Sequence, residues 1–139
     1  MLTGRDWQSA IEAHVGQVLR QAGIEQPPVD AFAAVRALNI PIVWDEAQAG
    51  RGRIARISGR PAIFLRPDER PERQQWAAAH ELGESCVWRI CSALGQSGDD
   101  LTARQREDLA NAFAKSLLLP AAWFERDSCD CDFDLPHLK

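Results

Sequence analysis

The sequence predicts an α+β fold, with helices and a small, mostly antiparallel sheet in separate stretches of the chain. Three observations carry that expectation. Apolar residues recur at helical spacing from Trp7 to about Gln21 and again from Val29 to Leu38. Three short β-rich runs follow, "IPIVWD", "GRIARI" and "PAIFLRP". Two long helix-forming stretches then come, one through "WAAAHELGESCVW" and one through "ARQREDLANAFAKSLLLP".

In the first helix, expected over 5–22, Trp7, Ile11, Val15, Val18 and Leu19 make one apolar stripe, and Gly23 stands just past its end as a C-cap. Pro27-Pro28 punctuates the chain. Val29, Phe32, Val35 and Leu38 form the stripe of a second helix that ends at Asn39 or its neighbour. The β-rich runs are separated by "EAQAGR" and "SGR", and Ser58-Gly59 has the composition of a hairpin turn. Asp68, Glu69 and Pro71 mark the start of the alanine-rich helix. "GQSGDDLTARQ" reads as a loop with Asp99, Asp100 or Thr102 as N-cap of the last helix, which closes near Pro120.

With 139 residues the chain is long enough for one domain with a real core, expected over 1–139. The tail 125–139 opens what reads as a further helix, expected to continue beyond Lys139. The 16 basic and 20 acidic side chains leave a formal charge of -4, and the basic residues are not massed on one helix, which argues against direct nucleic-acid binding. The N-terminus is polar, and no apolar run approaches the roughly 18 residues of a membrane span, so a soluble, cytoplasmic protein is expected. Cys86, Cys91, Cys129 and Cys131 lack a strong zinc-knuckle spacing and are read as reduced thiols.

The chemistry-bearing stretch is His80-Glu81-Leu82-Gly83-Glu84. Residues four apart on a helix lie one above the other, so His80 and Glu84 can address one metal ion while Glu81 reaches a water held by it. In such sites the ion acidifies the water and polarises a carbonyl, and the glutamate moves the proton to the leaving amine. Taken alone, His-Glu-x-x-Glu is also the pattern of an ordinary charged helix face.

The surrounding order of elements is more specific. Two helices, three β runs ending in "AIFLRPDERPERQQWAAAHELGE", and then "REDLANAFAKSLLLPAAWF" together resemble the ImmA/IrrE family of metallopeptidases over about Val29 to Phe124. The resemblance implies an α+β fold with the small sheet packed on the active-site helix, and a zinc site of two histidines and a glutamate. It makes His80 the first ligand and Glu81 the catalytic base, with Glu84 at the position of the second histidine. Leu109 stands where many members place the third ligand. The resemblance further implies a protein substrate, typically a regulator such as a transcriptional repressor.

The nearest replacement for that third ligand is Glu107, and helix arithmetic offers a test. Ala110, Phe113, Ala114 and Leu117 form the inward stripe, and one turn back from Ala110 lie Arg106 and Glu107, with Asp108 off the stripe. Glu107 is thus expected on a buried face, where its charge needs a partner: a metal ion, an arginine, or the helix N-terminus. A site of one imidazole and two carboxylates holds zinc more weakly, leaves its water less acidic, and shifts selectivity towards Mn²⁺. Three readings stand: a peptidase with altered metal preference, a metal-binding domain without hydrolysis, and a non-catalytic interaction domain that keeps only the fold. Among other polar residues, His14 is expected to be a surface or satisfied core residue, and the Cys129, Cys131, His137 group incidental. Cys86 is expected away from the site, and Trp76, Trp88 and Trp123 are read as core or contact aromatics.

Overall fold

The computed structural model describes residues 2–123. Helix α1 (Gly4–Ala22) starts at Thr3, whose hydroxyl accepts from the Asp6 amide while the Asp6 carboxylate accepts from the Thr3 amide. It ends at Gly23, whose left-handed φ of 71° lets its amide bond back to the Arg20 and Leu19 carbonyls. Trp7, Ile11, Val15, Val18 and Leu19 are all buried, as their spacing predicts. Helix α2 (Ala31–Ala37) is capped by Asp30 and followed by Asn39 at a φ of 58°. Its buried residues are Ala31, Ala34 and Val35, whereas Phe32 and Leu38 are only partly covered, so the inward face is rotated from the expected stripe.

Strands β1 (Ile42–Trp44), β2 (Gly52–Ile57) and β3 (Arg60–Leu65) form one sheet in the order β1-β3-β2. β2 and β3 are an antiparallel hairpin through Ser58 and Gly59, at φ 53° and 80°, the two positive values that a tight twisted turn needs. β1, however, runs parallel to β3, which makes the sheet mixed. Turn residues report local reversals, but strand order follows burial. The strand carrying Ala62, Ile63 and Leu65 takes the centre, and 45–51 carries the chain from one edge to the other.

Helix α3 (Pro71–Ala93) begins with Pro71 in its first turn, behind an Arg70 that makes no side-chain cap. Helix α4 (Ala103–Leu118) begins at Thr102, selected from the three cap candidates by its reciprocal bonds with Gln105. α3 is central, packed on α4, on α2 and on β2 and β3, while α1 covers α4 and α2. No helix among the described residues is long and apolar enough to cross a membrane.

At Gly83 the α3 and α4 backbones nearly touch. A Cβ there would stand 2.9 Å from the Ala110 carbonyl oxygen and 3.0 Å from Phe113 Cβ, so only glycine permits this approach. Cys86 and Cys91 are buried free thiols, and burial pushes Cys86 up to about 11. Of the two expectations, core or contact aromatics, the core one does not hold for Trp76 and Trp88, which are 37% and 52% exposed, whereas Trp123 packs against the core; Trp88 lies on Gly98 without being enclosed. His14 is half-buried, and its Nε2 has no hydrogen-bond partner among the described residues, so it is not a satisfied core histidine. Cys129, Cys131, His137 and the rest of the tail lie outside the described residues.

Candidate metal centre

His80 and Glu84 lie one turn apart on α3, and the close packing at Gly83 brings α4 across them. One ligand atom each from His80, Glu84 and Glu107 lie within 4.8 Å of one another. His80 Nε2 is 3.3 Å from Glu107 Oε2 and 4.0 Å from Glu81 Oε2. Glu107 and Glu81 thus face one imidazole nitrogen, and Glu84 completes the donor group with His80 and Glu107.

The other nitrogen is occupied. His80 Nδ1 lies 2.8 Å from the side-chain oxygen of Asn111, which can only accept, so Nδ1 donates and Nε2 is the nitrogen turned towards the carboxylates. A metal-ligating histidine is oriented in the same way, by a bond from its other nitrogen. Asn111 lies within the stretch "REDLANAFAKSLLLPAAWF", whose resemblance assigns it no role. Its signal is its place one turn after Glu107, on the same face of α4.

Glu81 is more buried than His80, Glu84 or Glu107, at 7% exposed. The start of β2 leans on it: a Cβ on Gly52 would meet Glu81 Cγ at 3.0 Å and Oε2 at 3.1 Å. Burial, with the Glu84 and Glu107 charges adding and His80 opposing, raises its carboxyl to about 7. Glu84 is also raised, by burial first and by Glu107, against His80 and Arg106.

Glu107 departs from expectation in one respect. It faces His80, but its side chain is 56% exposed and does not lie on a buried face. It stands early in α4, where the helix rims the site before its stripe enters the core at Leu109 and Ala110. Leu109 itself is fully buried in the hydrophobic core and offers no ligand.

This arrangement fits a divalent cation. Three carboxylates crowd one imidazole whose second nitrogen is already satisfied; burial first, with their mutual repulsion adding, raises Glu81 and Glu84, and a cation would offset both. The model of the IrrE N-terminal-like domain, a peptidase family, matches residues 35–128. The chain belongs to that family. The match runs from α2 through α4 and contains all of His80, Glu81, Glu84, Glu107 and Asn111. An IrrE N-terminal-like domain is metallopeptidase-like and implies a divalent metal, consistent with the clustered donors. No curated protein matches the chain.

Proposed function

We propose that this IrrE-like domain hydrolyses a peptide bond in a regulatory protein inside the cell, with His80, Glu84 and Glu107 holding a divalent ion and Glu81 as general base. The observation that carries this reading is the convergence of the three donors within 4.8 Å beside a buried glutamate. A bound ion would polarise the scissile carbonyl and acidify water at this position. His80 is oriented for ligation by Asn111, and Glu84 and Glu107 supply oxygen donors from two helices. Glu81, held under Gly52, takes a proton from the attacking water and delivers it to the amide nitrogen as the C–N bond breaks, leaving a carboxylate and an amine. Its raised pKa suits a group that must both accept and donate near neutral pH.

Zinc is the ion of the family, and the oxygen-rich set moves preference towards manganese. A transcriptional repressor is the substrate type the family suggests. Glu84 also supports a second reading, a non-catalytic domain that binds its regulator without cutting it. A carboxylate in place of imidazole lowers the charge of the ion's shell and weakens activation of water.

Titration of metal-free protein with Zn²⁺ and Mn²⁺, beside cleavage of a candidate repressor, separates these readings. Saturable binding lost in His80→Ala and cleavage lost in Glu81→Gln are expected. Metal binding without any Glu81-dependent cleavage supports the second reading; no saturable binding removes the site.

A further inference from the structure

The hairpin of β2 and β3 brings together a charge pattern that the net charge of -4 conceals. From Ala47 to Arg66 the chain carries five arginines and no acidic residue, and Arg51, Arg53, Arg56, Arg60 and Arg66 are all exposed. Arg53 stacks over the Phe64 ring at 4.1 Å and reaches Asp45 at 3.9 Å. The other four have no acidic partner among the described residues.

β2 is also an edge strand, paired with β3 on one side only. The Arg66 amide donates to the Arg51 carbonyl, so in the antiparallel register Arg51, Arg53 and Ala55 direct their backbone groups to β3. Gly52 and Ile54 direct theirs to the open edge. Side chains alternate oppositely: the Gly52 face meets Glu81, while Arg53 lies on the other face of the sheet, and Arg51, one residue before the strand, continues that alternation through its bond to Arg66.

We infer that the open edge of β2 binds an extended polypeptide and that Arg51 and Arg53 select acidic side chains on both neighbours of the residue lying opposite Gly52. An added strand places each of its residues directly across from one of β2, with side chains on the same face about 5 Å apart. The residue opposite Gly52 then points towards Glu81, and its two neighbours point to the arginine side. A strand with alternating acid meets a strand with alternating base. Nucleic acid fits less well, because the ladder groups at Gly52 and Ile54 ask for peptide partners and the chain as a whole is acidic.

This inference rests on the reading of Glu81 as the catalytic base only for where the selected residues lie relative to the cleaved bond; the selection itself is read by binding without metal. The test uses the full chain carrying Glu81→Gln and a fluorescein-labelled peptide with an Asp-Leu-Asp centre, compared with Asn-Leu-Asn and Lys-Leu-Lys versions by fluorescence anisotropy. The acidic peptide should bind roughly tenfold or more tightly than the neutral one, with the advantage shrinking in high salt. Arg51→Gln, a change at an exposed side chain, should remove much of that advantage, Arg51→Gln with Arg53→Gln should abolish it, and Arg36→Gln on α2 should leave it intact.

Equal affinity for the acidic and neutral peptides overturns the inference, as does equal loss in Arg36→Gln. Tighter binding of a single-stranded oligonucleotide than of the acidic peptide also overturns it. If the acidic preference holds but the protein binds no metal, the hydrolase reading fails and this surface stands. If metal binds and peptides are cut without acidic preference, the reverse is true.

Discussion

His80 and Asn111 share a hydrogen bond of 2.8 Å across the α3 and α4 interface, and through it α4 sets which nitrogen of the imidazole faces the carboxylates. Removing the amide with Asn111→Ala frees the ring to rotate and to change tautomer. Metal affinity should fall roughly ten- to hundredfold with little change in fold, as for other partners that orient a ligand. A competition titration with a chromophoric chelator checks it, and unchanged affinity would mean that the bond does not orient His80.

Glu107 and Asp108 are adjacent, but only Glu107 faces His80, at 3.3 Å. Glu107→Gln should lower metal affinity by about tenfold or more, whereas Asp108→Asn should have little effect. Because Glu107 is more than half exposed, the thermal stability of the metal-free protein should hardly move. Equal loss of affinity in both variants would place the metal elsewhere.

Gly83 couples packing to the site. Gly83→Ala puts a methyl 2.9 Å from the Ala110 carbonyl oxygen, and helix backbone on both sides has little room to yield. The variant should lose about 1–3 kcal/mol in chemical denaturation. It should also bind metal more weakly, since Glu107 moves away with α4. Full stability in Gly83→Ala would show that the two helices tolerate wider spacing.

For Glu81, the sign of the pH effect follows from a carboxyl raised from 4.5 to about 7 in the fold. Its protonated form is favoured on folding, so its contribution to stability is full below about 4.5 and is lost as pH rises through about 7. Metal-free protein should therefore melt progressively lower across that window, and Glu81→Gln should flatten the slope. Added metal should stabilise more as pH rises, because it must displace fewer protons. A wild-type melting profile as flat as that of Glu81→Gln would contradict the buried position of this carboxyl.

At Glu84, restoring imidazole with Glu84→His removes one negative charge from the donor set. Zinc should bind more tightly, and Glu81-dependent cleavage of a suitable regulator should appear or rise. Tight zinc binding without cleavage would locate the defect outside the ligands and favour the binding-only role.

The local pattern alone determined much of this protein. Periodicity set the buried stripe of α1, the one-turn separation of His80 and Glu84, and the face of α4 that carries Glu107, because helix geometry converts spacing directly into direction. The Ser58-Gly59 turn was legible for the same reason: its backbone demands are local. Tertiary structure decided the rest. The parallel pairing of β1 with β3, the bond from Asn111 to His80, and the seat of Gly52 on Glu81 join residues distant in sequence. Spacing orients a side chain about its own helix but says nothing of how far that helix leans over its neighbour. That is why Glu107 faces His80 at 3.3 Å yet is exposed and not on the buried face its spacing predicts.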